Sequence, residues 1–313
     1  MYGIKVGPPD TRDVRQSIRR PEPFIERPSG FAPPIGPRGF ATMRTLLRLM
    51  LPLAAFGTGV DGPPPQARTV KDFKLEVALK GAGETPLSSA TIVVAAGVAY
   101  QFVTAAKEEV QVVDVGRSLV QLVDLRRKVW TEVSAADLHA GLERLRASIG
   151  KAADRRDASG SRADRLAASM SRDLAATTFT TTFDPDARRL KLSNASVEVD
   201  ALGEPEPDAA RLSYVRDLLA LTAELSAYRD PANIPPFARL AAVDGLARGH
   251  ALRPVEVSLL YRLSGPPRRL KWTYRVVPDL TGREREAVDL VVRLRASAPF
   301  LPYRQYQPRA AGE

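Results

Sequence analysis

Cysteine is absent from the 313 residues, and histidine occurs only twice, as His139 and His250. The first absence excludes disulfides, thiolate metal sites, a cysteine nucleophile and the lipid-modified cysteine of a bacterial lipoprotein. The scarcity of the second leaves almost nothing from which to build a histidine metal site or a catalytic triad. Also missing are a glycine-rich phosphate loop, a nucleophile motif and an alternating strand–helix–strand rhythm. No run of about 18 apolar residues reads as a membrane span. Carboxylates are plentiful, so an acid–base pair stays open by spacing alone. The expectation is nonetheless a non-catalytic protein that needs no cofactor and no metal.

What is present begins with charge, which is +10 at neutral pH. That invites a nucleic-acid reading. Arginine greatly outnumbers lysine and alanine is abundant, as in chains encoded by GC-rich DNA. The basic residues are scattered among Asp and Glu rather than gathered in one block. Background composition is therefore the first explanation, and a nucleic-acid footprint the second.

Residues 1–42 carry repeated prolines and no apolar periodicity, so they cannot bury enough surface to offset the entropy of ordering. They are expected to be disordered, or an over-extended start. From Met43 the sequence MRTLLRLMLPLAAFGTGVDG has Arg44 and Arg48, an apolar stretch over Leu46–Phe56, then small residues at Ala54, Ala55, Gly57 and Gly59. This is the layout of a secretory signal peptide, assigned here to 43–60. It implies a periplasmic or secreted protein, or a cytoplasmic one if residues 1–42 are genuinely translated. The alternative for the segment is a short helix after a disordered tail. A proline-rich linker (61–69), one α+β domain (70–300) and an extended tail (301–313) complete the division.

Within that domain, Phe73, Leu75, Val77 and Leu79 alternate with charged residues as a half-buried strand. Runs at Val98–Val103, Glu109–Val115, Ser118–Leu125 and Lys128–Val133 follow with connectors so short that neighbours must be antiparallel. Ser134 and Asp137 cap an amphipathic helix carrying Leu138, Leu142, Leu145 and Ile149. A charged second helix is expected within Lys151–Ala176, broken at 159–161. Thr177–Phe183 is a strand, and Asp184 and Asp186 read as turn residues rather than metal ligands. Arg188–Val199 reads as one strand kinked near Ser193–Asn194. A long apolar helix starts at Pro207–Asp208 and stops before Asp230–Pro231, and a shorter one covers Phe237–Ala247. Val255–Leu263 and Leu270–Val276 form a hairpin, after which Thr281 and Glu284 cap a last helix.

The pattern sums to an α+β fold: a curved antiparallel sheet, an incomplete barrel, with helices packed on one face. GVAYQF (97–102), EEVQVVDVGRSLVQLVDLRRKVWTEVS (108–134) and FDPDARRLKLSN (183–194) resemble the lipoprotein carrier family (LolA/LolB-like) in strand rhythm over residues 70–200. That resemblance implies a half-barrel whose concave face, closed by helices, holds acyl chains.

Three functions are carried forward. The first is an exported envelope protein binding an apolar ligand or lipid, with Tyr100, Phe102, Val112, Leu122 and Trp130 as candidate lining residues. The second is a structural or interaction protein of the envelope, working with a partner protein and no ligand. The third is a basic surface of Arg262, Arg268, Arg269, Lys271 and Arg275 that meets an anionic membrane or nucleic acid. Strand parity turns Trp272 and Tyr274 away from those cations, which disfavours base stacking.

Overall fold

The computed structural model describes residues 70–83, 85–104, 108–158, 160–231, 234–262 and 267–306. All of them fall within one unit, Asp61–Glu313. The expected disordered start, signal-like segment and linker lie outside the described residues.

Eleven strands form a single antiparallel sheet that does not close into a barrel. Six come first: β1 (Phe73–Lys80), β2 (Pro86–Ala95), β3 (Val98–Val103), β4 (Glu109–Asp114), β5 (Leu119–Asp124) and β6 (Val129–Ser134). Helices α1 (Ala135–Ala158) and α2 (Arg162–Ala175) lead to β7 (Thr180–Asp184), β8 (Arg189–Ser193) and β9 (Val197–Pro205). Then come α3 (Ala209–Arg229), α4 (Phe237–Asp244) and a π-helical turn at Gly245–Gly249. The hairpin β10 (Leu252–Tyr261) and β11 (Arg268–Val277) follows, with α5 (Gly282–Ser297) and the one-turn α6 (Tyr303–Tyr306) last. The spatial order β6-β5-β4-β3-β2-β1-β11-β10-β9-β8-β7 is two meanders joined where β1 pairs with β11.

Three of the hairpin turns share one device. Asp114, Asp124 and Asp184 each accept backbone N–H bonds from residues two or three positions on, at 2.7–3.0 Å. The residue that re-enters the next strand, Ser118, Lys128 or Arg188, then takes a positive φ of 53–54°. The aspartate closes the turn and the left-handed residue aims the strand back. Asp184 is thus a turn residue, as its spacing suggested. A similar side-chain turn corrects the expectation of one kinked strand over 188–199. Asn194 Oδ1 accepts from the amides of Ser196 and Val197, and the chain reverses into two paired strands. The change of apolar parity marked a turn, not a bulge.

The caps act where the sequence placed them. Ser134 Oγ accepts from the Asp137 amide, Asp208 Oδ1 from those of Ala210 and Arg211, and Thr281 with Glu284 forms a reciprocal capping box. Each such cap contributes about 1 kcal/mol. Where an extended tail was expected beyond residue 300, Tyr303–Tyr306 closes into a helical turn instead. Tyr306 is buried, and its hydroxyl donates to Glu109 at 3.1 Å, which ties the turn to β4.

The sheet buries both faces, unequally. The main core lies between one face of nearly every strand and α1, α3 and α4, with Phe73, Leu75, Ile92, Leu122, Leu190, Val257 and Leu259 on the sheet side. Helix α3 supplies Leu212, Val215, Leu218, Leu219, Leu221 and Leu225. Fully burying side chains of this size contributes about 1.5–3 kcal/mol each. Gly141 lets α1 approach α3 closely, because a methyl there would sit 2.5 Å from the Tyr228 ring. A smaller core fills the other face over β2–β6, where Val93, Tyr100, Val112 and Val123 pack against Val288 and Val291 of α5. Among the described residues, helices thus crowd one face and α5 lies across part of the second. Among the described residues no helix is long and apolar enough to cross a membrane.

Candidate functional site

Strands β1 and β3 end, and β2, β4 and β11 begin, at the same end of the sheet. At that end the helices do not fill the space above the strands, and a cavity of about 190 Å³ remains. Its floor is Leu79 of β1, Ile92 of β2, Val103 of β3 and Trp272 of β11; Leu79 is in register with Trp272. Its roof is Leu219 of α3 with Leu240 and Val243 of α4. The alternation that made these strands legible also sets the walls. Odd positions of β1 and β3, and even positions of β2 and β11, face the helices.

Polar groups are few and converge. Thr222 and Ser226 come from α3, Ser88 and Ser89 from the rim of β2, and Gln101 from β3. Ser89 Oγ is held by Thr104 Oγ1 at 2.8 Å, and Thr222 Oγ1 donates to the carbonyl of Leu219 at 3.1 Å. The side-chain oxygen of Gln101 is buried and has no hydrogen-bond partner among the described residues. A buried acceptor left unpaired costs about 1–3 kcal/mol.

The remaining polar group is Arg239 of α4. Its guanidinium lies over the Trp272 ring, 4.8 Å from the centroid. It also faces the phenols of Tyr274 and Tyr261, which burial pushes up while the nearby positive charge pulls them down. No carboxylate of the described residues forms an ion pair with it. The ring face contributes about 0.5–2 kcal/mol. Partly withdrawing a cation from water costs several kcal/mol. The cavity therefore holds a positive charge that its own walls do not balance.

No family model matches the chain, and no curated protein matches it in sequence. The chemistry of the site is accordingly read from its own residues.

Of the five candidate lining residues, none borders this cavity. Tyr100, Phe102, Val112 and Trp130 share the opposite face and belong to the smaller core beneath α5. Trp130 donates its Nε1 proton to the carbonyl of Ala298 at 3.1 Å, and its backbone binds Pro299 and Leu301, so the last segment covers the β6 edge. Leu122 does face α1, α3 and α4, but is fully buried in the main core. The sequence reading puts all five on one inner face, but Leu122 lies on the opposite face from the other four, and alternation does not say which face the helices roof. Trp272 and Leu79, which do line the cavity, sit in the two clearest alternating strands. Gln101 and Arg239 carried no periodic signal.

The five basic candidates also divide. Lys271 pairs with Glu256 at 2.7 Å, Arg275 with Glu76 at 2.7 Å and Arg262 with Glu198 at 2.5 Å, all across neighbouring strands on the solvent face. Arg269 shares the parity of Lys271 and Arg275. Arg268 has the parity of Leu270 and Trp272, opposite Tyr261, and so stands on the cavity's side of β11 at its open end.

A second space, a cleft of about 340 Å³, lies among α1, α3 and α4 on the side away from the sheet. Its floor is Leu142, Phe237 and Leu240, and its rim is charged. Arg146 pairs with Glu143 at 2.9 Å, Arg216 with Asp217 at 2.5 Å and Arg248 with Asp244 at 2.9 Å. Glu224 faces His139 at 3.9 Å, and burial raises its carboxyl despite that neighbour. The other histidine, His250, stacks on Phe183 with ring centroids 3.5 Å apart. Among the described residues no cluster of His, Asp and Glu could hold a metal ion.

Proposed function

We propose that this chain is a non-catalytic binding protein that takes the apolar part of a small ligand between its sheet and α3–α4. The observation that carries the reading is the cavity of about 190 Å³ walled by aliphatic and aromatic side chains at the open end of the strands. An apolar cavity of about 150 Å³ suffices to take up benzene. The space here accordingly suits a ring or a chain of about six to eight carbons, and not the whole body of a lipid. Its polar groups are an arginine, an amide and hydroxyls, with no acid–base pair among them, which favours binding over catalysis.

The resemblance to lipoprotein carriers in strand rhythm, and the open sheet with helices over one face, support the same reading. Export rests on the signal-like segment at 43–60 and belongs to the proposal. The basic-surface alternative is disfavoured because three of its five cations are neutralised by cross-strand carboxylates. Calorimetric titration with the neutral eight-carbon alcohol octanol, a probe of that size, tests the reading. Saturable one-to-one binding is expected for the wild type, and its loss in Ala90→Phe, where a phenyl ring would occupy the cavity. Absence of saturable binding, or binding indifferent to Ala90→Phe, would leave the cavity without a role.

A further inference from the structure

The cavity's ligand can be specified further from the one group its walls leave unbalanced. Resting on the binding reading above, we infer that the ligand is an anionic amphiphile: a carboxylate or phosphate head on a short apolar tail, with the head held by Arg239. Elsewhere in the molecule half-buried arginines meet carboxylates. Arg211 makes a two-pronged bond to Glu206, and Arg229 binds Glu109. Each arginine of the cleft beyond α4 also has an acidic partner. Arg239 has instead the π-faces and phenols of Trp272, Tyr274 and Tyr261. Those groups fix the guanidinium plane without using up its charge, and a planar fork of donors matches a carboxylate or phosphate better than any other group.

The surroundings agree in sign. Arg268, four positions before Trp272, has the same parity on β11 and adds a second positive charge on the cavity's side of the sheet. Low-dielectric walls concentrate that field. A cation would be repelled by both. A neutral alcohol would fill the apolar walls and leave Arg239 as it is. The tail then lies along Leu79, Ile92, Leu219 and Leu240, and the head reaches the guanidinium beside Trp272.

Calorimetric titration of the purified full-length chain with octanoate, octyl phosphate, octanol and octyltrimethylammonium tests this, each below its micelle concentration. One or both anions should bind at least about tenfold tighter than octanol, because a hydrogen-bonded charge is involved. The ammonium compound should bind weakest. The tighter of the two anions names the head group. Arg239→Met keeps the aliphatic stem against Trp272 and should bring the anions down to the octanol level; Arg239→Lys should restore most of the preference. Thermal melts of both variants report whether the fold is intact. Equal binding of octanol and the anions, or a preference that survives in Arg239→Met, would overturn the anionic head while leaving the cavity reading in place. Failure of every probe to bind would remove the cavity reading and this inference together.

Discussion

Two spaces flank α4, and they treat charge in opposite ways. The cleft on its far side is ringed by arginines, yet each has a carboxylate within 3 Å, and the remaining acid, Glu224, has His139 beside it. The cavity on its sheet side is smaller and walled mainly by aliphatic and aromatic side chains, yet its single arginine has aromatic neighbours and no acid among the described residues. Internal pairing is what a fold does with charge that serves only its own stability. A charge supported by packing but not neutralised is available to something outside the chain. On the proposed reading the cavity, not the larger cleft, is therefore the place for a ligand.

Four substitutions test this contrast. The largest effect is expected from Leu142→Ala, which removes a buried side chain of α1 from the floor of the cleft. It should cost about 2–5 kcal/mol in denaturant unfolding. Octanoate affinity should stay within about twofold, a shift of less than about 0.5 kcal/mol; a large loss of affinity at preserved stability would reverse the roles of the two spaces. Next is Ala90→Phe, which should abolish probe binding in the cavity, at least about a tenfold loss. Unchanged binding in that variant would place the ligand elsewhere.

The third concerns pH. Burial raises the Glu224 carboxyl above the ordinary 4.5. A carboxyl with a raised folded pKa favours the folded state while protonated, and that advantage is lost as pH climbs from the ordinary value through the folded one. Over that window the wild type should lose stability relative to Glu224→Gln, seen as converging or crossing melting temperatures in thermal scans. Parallel curves would show that the carboxyl is not raised. The smallest effect belongs to Asp244→Asn, which breaks the exposed pair with Arg248; about 0.5 kcal/mol or less is expected. A cost above about 1 kcal/mol would mean the rim pairs of the cleft do more than offset one another.

Much of the fold could be read from the residues because its signals are local. Phe73 to Leu79 and Leu270 to Val276 alternate with period two, and Ser134, Asp208 and Thr281 announce helix starts through side-chain bonds to amides only a few positions on. The curved open antiparallel sheet followed from connectors too short for anything else. What was not legible needed information from far along the chain. The joining of β1 to β11 spans about two hundred residues of sequence, and nothing in either strand names its partner. Tyr100, Phe102, Val112, Leu122 and Trp130 read as one inner face, yet Leu122 points the opposite way from the rest, and alternation is symmetrical between the faces. Only the docking of α3 and α4 on one side and α5 on the other decides which group faces a cavity. Gln101 looked like an ordinary polar position between two aromatics, and its amide turned out to point inward. Arg239 sits in a short, weakly periodic helix, FARLAAVD, where an arginine carries no sign of what it will face. The turn at Asn194 was visible as a break in alternation but was read as a kink, because an Asx-closed reversal and a bulge leave the same trace in the pattern.

The most direct measurement uses the two tryptophans as markers of the two faces, Trp272 in the cavity and Trp130 beneath α5. An eight-carbon fatty acid brominated along its tail would be titrated into the wild type and into Trp130→Phe, and tryptophan quenching recorded. If the acid enters the cavity, saturable quenching should persist in Trp130→Phe, where only Trp272 reports, and should disappear from Arg239→Met at the same concentrations. Quenching that vanishes with Trp130, or persists undiminished without Arg239, would contradict the assignment of this cavity as an anion-headed binding site.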